Sequence, residues 1–203
     1  MKMPYGGYMT EKIKVVLASR SPRRKELLGR IIPNFEILTA ETDETLPEGM
    51  HPRMGVEVLS VRKGAAVAHT LPPDRLVISS DTLVELDGVP LGKPADEEDA
   101  LRILLSLSGK SHNVHTGVAV HYMGKVYSGV DSSSVRFRTL TEDEAREYIA
   151  TGEPMDKAGA YAIQGIGARF VAEHVGRFDT IVGLSLSLTE SLINEALKSN
   201  DKG

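Results

Sequence analysis

The hydrophobic and polar positions of this chain switch repeatedly between a two-residue and a 3.6-residue period, which predicts alternating strands and helices. An apolar, β-branched run over 13–17 reads as a buried strand. Ser21 followed by Pro22 is a helix start, a capping hydroxyl with proline at the first helical position. A second strand is expected over 35–39, running into the carboxylate-dense loop Ala40-Glu41-Thr42-Asp43-Glu44, and Pro47, Gly49 and Pro52 keep the chain irregular beyond it. From Gly55 to His69 the spacing of Val56, Leu59 and Ala66, with Arg62 and Lys63, predicts a helix closed by Pro72-Pro73, so Lys63 is a helical lysine. The run over 75–82 reads as a short apolar strand that turns polar at Ser79-Ser80-Asp81-Thr82. Asp81 is therefore expected at a carboxyl end, where open α/β sheets gather ligands. Leu83 to Leu86, Asp87-Gly88 and Val89 predict a hairpin that delivers the loop Leu91-Gly92-Lys93-Pro94.

In the second half, Asp96 begins a helix whose first turn is acidic (Glu97, Glu98, Asp99) and whose apolar positions are Leu101, Leu104 and Leu105, ending at Gly109. Three strands are expected next, over 112–121, 125–130 and 133–139, as an antiparallel block. On the first of these Val114, Thr116, Val118 and Val120 share a face. His112 and His115 lie an odd number of positions apart, so they point to opposite faces and cannot share a metal. Thr141 and Glu144 form a capping box for a helix that ends at Gly152, and Ser187 with Glu190 predicts another for the final helix, whose apolar face is Leu188, Leu192, Ile193, Ala196 and Leu197. Between them Gly165 and Gly167 lack the strand context and third glycine of a dinucleotide fingerprint. They are expected instead to let backbone approach a ligand or another strand closely.

Composition narrows the class. At 203 residues the chain suits one domain with a substantial core, here expected over 13–203, after an N-terminal extension over 1–12 read as a loose tail without signal-peptide character. It has no cysteine, which removes disulfides and thiolate metal sites and suits a cytoplasmic protein. No apolar stretch is long enough to span a membrane. A net charge of −4 argues against a nucleic-acid partner and makes any basic cluster a local feature.

That cluster follows the first strand, in Ser19-Arg20-Ser21-Pro22-Arg23-Arg24-Lys25. Arg23, Arg24 and Lys25 fall in the first turn of a helix, where the macrodipole is already positive and cations are unfavourable. The helix begun by Asp96 obeys the rule that this one breaks. The conflict disappears if a polyanion sits at the helix start, held by backbone N–H groups, the Ser19 and Ser21 hydroxyls and the arginine forks. A solvated basic turn is the alternative.

The stretches Leu17-Ala18-Ser19-x-Ser21-Pro22-Arg23-Arg24-x-Glu26-Leu27-Leu28, Ser80-Asp81-Thr82, Gly92-Lys93-Pro94, Tyr161-x-Ile163-Gln164-Gly165-x-Gly167-x-x-Phe170 and Val182-Gly183-Leu184 together resemble the Maf family, in matching order along almost the whole chain. The resemblance implies an α/β fold related to inosine-triphosphate pyrophosphatases, a mixed twisted sheet with flanking helices and two lobes around a deep cleft. It also implies a cytoplasmic, homodimeric hydrolase that uses a divalent metal, Mg²⁺ or Mn²⁺, to split a nucleoside triphosphate into monophosphate and pyrophosphate. Asp81 then matches the family's proton acceptor, and Glu44 and Asp81 are hard oxygen ligands suited to the metal. Ser19, Arg23, Arg24, Lys63, Thr82, Lys93 and Gln164 are the expected substrate-binding residues. At Arg23, Thr82 and Gln164 the chain resembles the subgroup acting on dTTP and UTP, whereas the 7-methyl-GTP subgroup tends to carry an aromatic residue, a histidine and a glutamate there. One departure is Ser185, where the family usually has proline. The rival readings are a 7-methyl-GTP pyrophosphatase of the same family and a non-catalytic nucleotide-binding regulator of cell division.

Overall fold

The computed structural model describes residues 13–200, so the extension expected over 1–12 lies outside the described residues. Strand β1, Val15–Leu17, is buried on both faces, as a central parallel strand must be. It feeds helix α1, Pro22–Gly29, whose start is capped as expected, the Arg24 N–H donating to Ser21 Oγ at 3.4 Å. Strand β2, Glu36–Ile37, is shorter than expected because it has only β1 to pair with, through Val16 and Leu17. Helix α2, Pro52–Ala68, begins earlier than its apolar spacing predicts: Pro52 takes the first helical position rather than breaking the chain, and His51 Nδ1 accepts the Arg53 N–H at 3.2 Å.

Strand β3, Leu76–Leu86, changes the expected place of Asp81, which lies in its middle and not at a carboxyl end. Antiparallel pairing with strand β5, Ser111–Tyr122, continues straight through Asp81, which sits opposite Gly117. The polar switch marks something else. The last β1 pair is Leu17 with Ile78, and strand β4, Val89–Leu91, begins to pair on that same side only at Val84. Between them β3 has an open edge, and the candidate site lies there.

Helix α3, Glu97–Leu107, follows the β3–β4 hairpin with Asp96 as its cap. Strand β6, Lys125–Phe137, is one continuous strand where two were expected. The polar residues Asp131 to Ser134 look like a break in sequence, but each keeps its register against β5. After helix α4, Glu142–Ile149, begun by the Thr141–Glu144 capping box as expected, come short 3₁₀ turns, strand β7, Val171–Val175, and helix α5, Phe178–Val182. The final helix α6, Leu186–Lys198, is capped by Ser185 and not by the Ser187–Glu190 pair that the sequence suggests.

The sheet order is β2-β1-β3-β5-β6-β7, with β4 beside β3, giving a mixed sheet of seven strands among the described residues. Alternation sorts its contacts. Ser79 and Ser128 face α2, donating to Ser60 O and Glu57 Oε1, whereas Thr116 faces α5 and donates to Thr180 O at 2.7 Å. His115 and His112 divide in the same way, as expected: His115 Nε2 meets Glu85 Oε2 at 2.7 Å, and His112 Nε2 meets the Tyr161 hydroxyl at 2.8 Å. Burial pushes His112 down to about 4, so it is neutral near pH 7. Helices α3 and α4 with the 3₁₀ turns make a second lobe around Phe137, Tyr148, Tyr161 and Phe170, with the Tyr148 and Phe170 rings 5.1 Å apart, edge to face. One buried cluster runs from Leu17 and Leu28 through Val118 to Tyr148 and Leu192, joining the two lobes. No helix among the described residues is long and apolar enough to cross a membrane.

Candidate active site

The open edge of β3 floors a cleft of about 1010 Å³, at the upper end of the roughly 300–1,000 Å³ usual for ligand pockets. The expected catalytic, metal and substrate-binding residues all line it: Ser19, Arg23 and Arg24 from the β1–α1 turn, Glu44 from the acidic loop, Lys63 from α2, Asp81 and Thr82 from β3, Lys93 after β4, and Gln164 from the second lobe, whereas Lys25 of the basic helix start does not. Its lining holds six cationic side chains against four carboxylates, in a chain whose net charge is −4.

The two faces of β3 carry different chemistry. On the α2 side, Asp81 is buried and ion-paired with the Lys63 ammonium, which also meets Glu44 Oε1 at 2.9 Å. The two carboxylates thus converge on one point, at present filled by a cation from the chain itself. Among the described residues no three histidine or acidic side chains form a ready-made metal cage. Two carboxylates that converge beside a cationic cleft nevertheless fit a hard divalent ion that takes its remaining ligands from phosphate and water, as Mg²⁺ commonly does.

On the opposite side Arg24 is spread over three partners. Its Nε donates to Gly183 O at 2.8 Å, one terminal nitrogen to Ser19 Oγ at 3.4 Å and the other to Thr82 Oγ1 at 3.2 Å. Burial pulls the guanidinium below its ordinary pKa. Asp81 and Glu44 oppose that shift, and Arg23 adds to it. A partly buried cation beside another cation at a helix N-terminus is a site that an anion would relieve.

The proton of the Thr82 hydroxyl is already committed. Thr116 Oγ1 gives its only proton to Thr180 O, so within the 3.0 Å pair of threonines Thr82 must donate to Thr116, leaving its lone pairs for Arg24. Its geometry serves to orient Arg24. The Gly183 carbonyl is fixed in turn by the Ser80 hydroxyl at 2.9 Å. Gly183 itself has φ 124°, a conformation open to glycine, and a Cβ there would sit 3.3 Å from Thr82 Oγ1. Below it, Asp131 Oδ2 accepts from Thr180 Oγ1 at 2.7 Å and from Ser185 Oγ at 2.6 Å. Burial pushes Asp131 up, but these hydroxyls bring it below the usual carboxylate value. Ser185, the departure from the usual proline, is therefore both the cap of α6 and part of the support under Gly183.

The supporting residues Ser80, Thr116 and Asp131 are absent from the sequence-derived site. Thr116 did leave a signal, as the one hydroxyl in an otherwise valine face. Gly165 and Gly167 were expected against a ligand or strand; what approaches them is a side chain of the second lobe, the Glu153 carboxylate at Gly165 and the Tyr148 hydroxyl at Gly167.

The Maf-like protein family model matches residues 14–196. The chain belongs to the Maf family. Among its relatives in that family, the dTTP/UTP pyrophosphatase of Pelotomaculum thermopropionicum is 47% identical over 184 residues, covering 90% of this chain and 96% of its own length. The dTTP/UTP pyrophosphatase of Vibrio cholerae is 44% identical over 182 residues, covering 90% and 97%. A solved structure, the Staphylococcus aureus Ham1 protein, covers 91% of this chain and 94% of its own at 18% identity, with a TM-score of 0.47, too distant to bear on the site.

Proposed function

We propose that this Maf protein hydrolyses dTTP and UTP to the nucleoside monophosphate and pyrophosphate, assisted by a divalent cation. The observation that carries the reading is the meeting in one cleft of a cationic helix start with a buried carboxylate, Asp81, among relatives named for this activity. A triphosphate brings about four negative charges, which Arg23, Arg24 and Lys93 can meet on the side of the leaving pyrophosphate. Asp81 positions the attacking water and takes its proton, while the Lys63 ammonium, giving way to the cation between the two carboxylates, meets phosphate oxygens. Glu44 and Asp81 would hold the cation, whose chemistry is to neutralise phosphate oxygens as the α-phosphorus is attacked. A non-catalytic nucleotide sensor would need the arginines but has no use for Asp81 held at the cleft floor.

The test is product analysis with a triphosphate panel, with Mg²⁺ or Mn²⁺ and with chelator. Monophosphate and pyrophosphate are expected from dTTP and UTP, and only with metal present. No such products from any triphosphate would sink the enzyme reading.

Gln164 is the proposed base reader. Its amide forms no intramolecular hydrogen bond among the described residues, and it offers a donor and an acceptor to the carbonyl and N3–H of uracil or thymine. Guanine presents adjacent donors, which a glutamate satisfies better. Gln164→Glu is therefore expected to lower the ratio of kcat/KM for UTP over 7-methyl-GTP by roughly tenfold to a hundredfold, the cost of a mismatched partner once the bound base covers it. An unchanged ratio would remove Gln164 from base recognition.

A further inference from the structure

Gln164 sits on an irregular loop, yet base reading requires its amide to be placed to within a fraction of an ångström. Nothing on its own side chain fixes it. The loop backbone is fixed from behind, by two side chains that do not line the cleft. Glu153 Oε2 accepts the Ile166 N–H at 2.9 Å and Oε1 the Gly167 N–H at 3.1 Å. The Tyr148 hydroxyl donates to Glu153 Oε1 at 2.8 Å and accepts the Ala162 N–H at 3.3 Å. Three loop N–H groups on both sides of Gln164 thus end on one carboxylate–phenol pair.

Gly165 belongs to the same arrangement. A Cβ on it would lie 2.4 Å from the Glu153 carboxylate, while its φ of −114° is open to any residue, so glycine is needed there for space and not for conformation. Burial pushes Glu153 up, but the two backbone N–H groups and the Tyr148 hydroxyl hold it below the usual carboxylate value, ionised near neutral pH.

We infer that Glu153 is a positioning residue for base selection, holding the 162–167 loop in the shape that presents Gln164 to the base. The inference rests on the pyrimidine-triphosphate reading above and deepens it by separating the residue that reads the base from the one that aims it. Glu153→Gln puts an amide NH₂ among N–H donors, donor against donor, and must displace the loop. Gly165→Ala displaces the same contact sterically without altering Glu153.

Both variants and the wild type would be compared by kcat/KM for UTP and 7-methyl-GTP, by the inhibition constant of pyrophosphate, and by thermal melting. Each variant is expected to lower the UTP over 7-methyl-GTP ratio by about tenfold, mainly through KM for UTP. Pyrophosphate inhibition should move less than about twofold, because Arg24 and its partners are untouched. If Glu153→Gln does not fold, Gly165→Ala, at an exposed position with ordinary φ, carries the test alone. An unchanged ratio in the variants, beside a wild type that prefers UTP, overturns the inference and leaves the activity standing. An equal fall for both nucleotides and pyrophosphate, with a lowered melting temperature, makes Glu153 merely structural and overturns it too. A wild type that hydrolyses neither nucleotide is a different failure, of the activity itself.

Discussion

Replacing Asp81 by Asn is expected to lower kcat by about 10²–10⁴-fold, the range associated with a positioned general base, while nucleotide binding changes little. The amide keeps the shape and the burial but loses the charge that receives the proton and meets Lys63. Lys63 keeps Glu44 as a partner, so the fold should survive. Single-turnover rates with UTP beside calorimetric binding of a non-hydrolysable analogue separate the two effects. Near-normal turnover would make Asp81 a structural member of the ion pair.

The second large effect is expected at Arg24. Removing its charge-assisted contacts, about 1.5–3 kcal/mol, should weaken triphosphate and pyrophosphate alike by roughly tenfold to more than a hundredfold. The ligand-free protein should melt at the same temperature or slightly higher. A cation leaves the positive end of α1, and the Gly183 carbonyl still accepts from Ser80. Inhibition by pyrophosphate and a melting curve decide the matter. A lowered melting temperature with unchanged affinity would show that Arg24 serves the fold and not an anion.

Chemistry that acts locally was legible in the sequence. The Ser21-Pro22 helix start, the Thr141–Glu144 capping box and the opposed faces of His112 and His115 follow from neighbouring residues, and the structure reproduces them. The cations in the first turn of α1 pointed to the cleft for the same reason, being wrong for an isolated helix. What depended on distant partners was not legible. Asp81 was misplaced because the polar switch at Ser79 to Thr82 looks like the end of a strand, when what ends there is the neighbour β1. The polar stretch in β6 looked like a break because its partners Thr180 and Ser185 lie some fifty residues on, beneath another helix. Ser187 and Glu190 satisfied the capping pattern, but Ser185, two residues earlier, reaches the Leu188 N–H while also serving Asp131. The Thr82 hydroxyl could not be assigned a direction without Thr116 and Thr180, which a strand and a helix bring to it.

The alternation of β3 has one more consequence, for which changes in length the chain can absorb. Asp81 reaches the α2 side with its ammonium, and Ser80 and Thr82 reach the α5 side with their guanidinium, solely because they are consecutive residues of a paired strand. An inserted or deleted residue before Asp81 would exchange the two sides at once, turning the carboxylate toward the arginine and the hydroxyls toward the lysine, without altering a single side chain. The loops that carry Glu44 and Lys93 can lengthen or shorten and still return to the cleft. Across Ser79 to Thr82 the spacing itself is the functional trait, so this short segment can evolve by substitution but not by insertion or deletion.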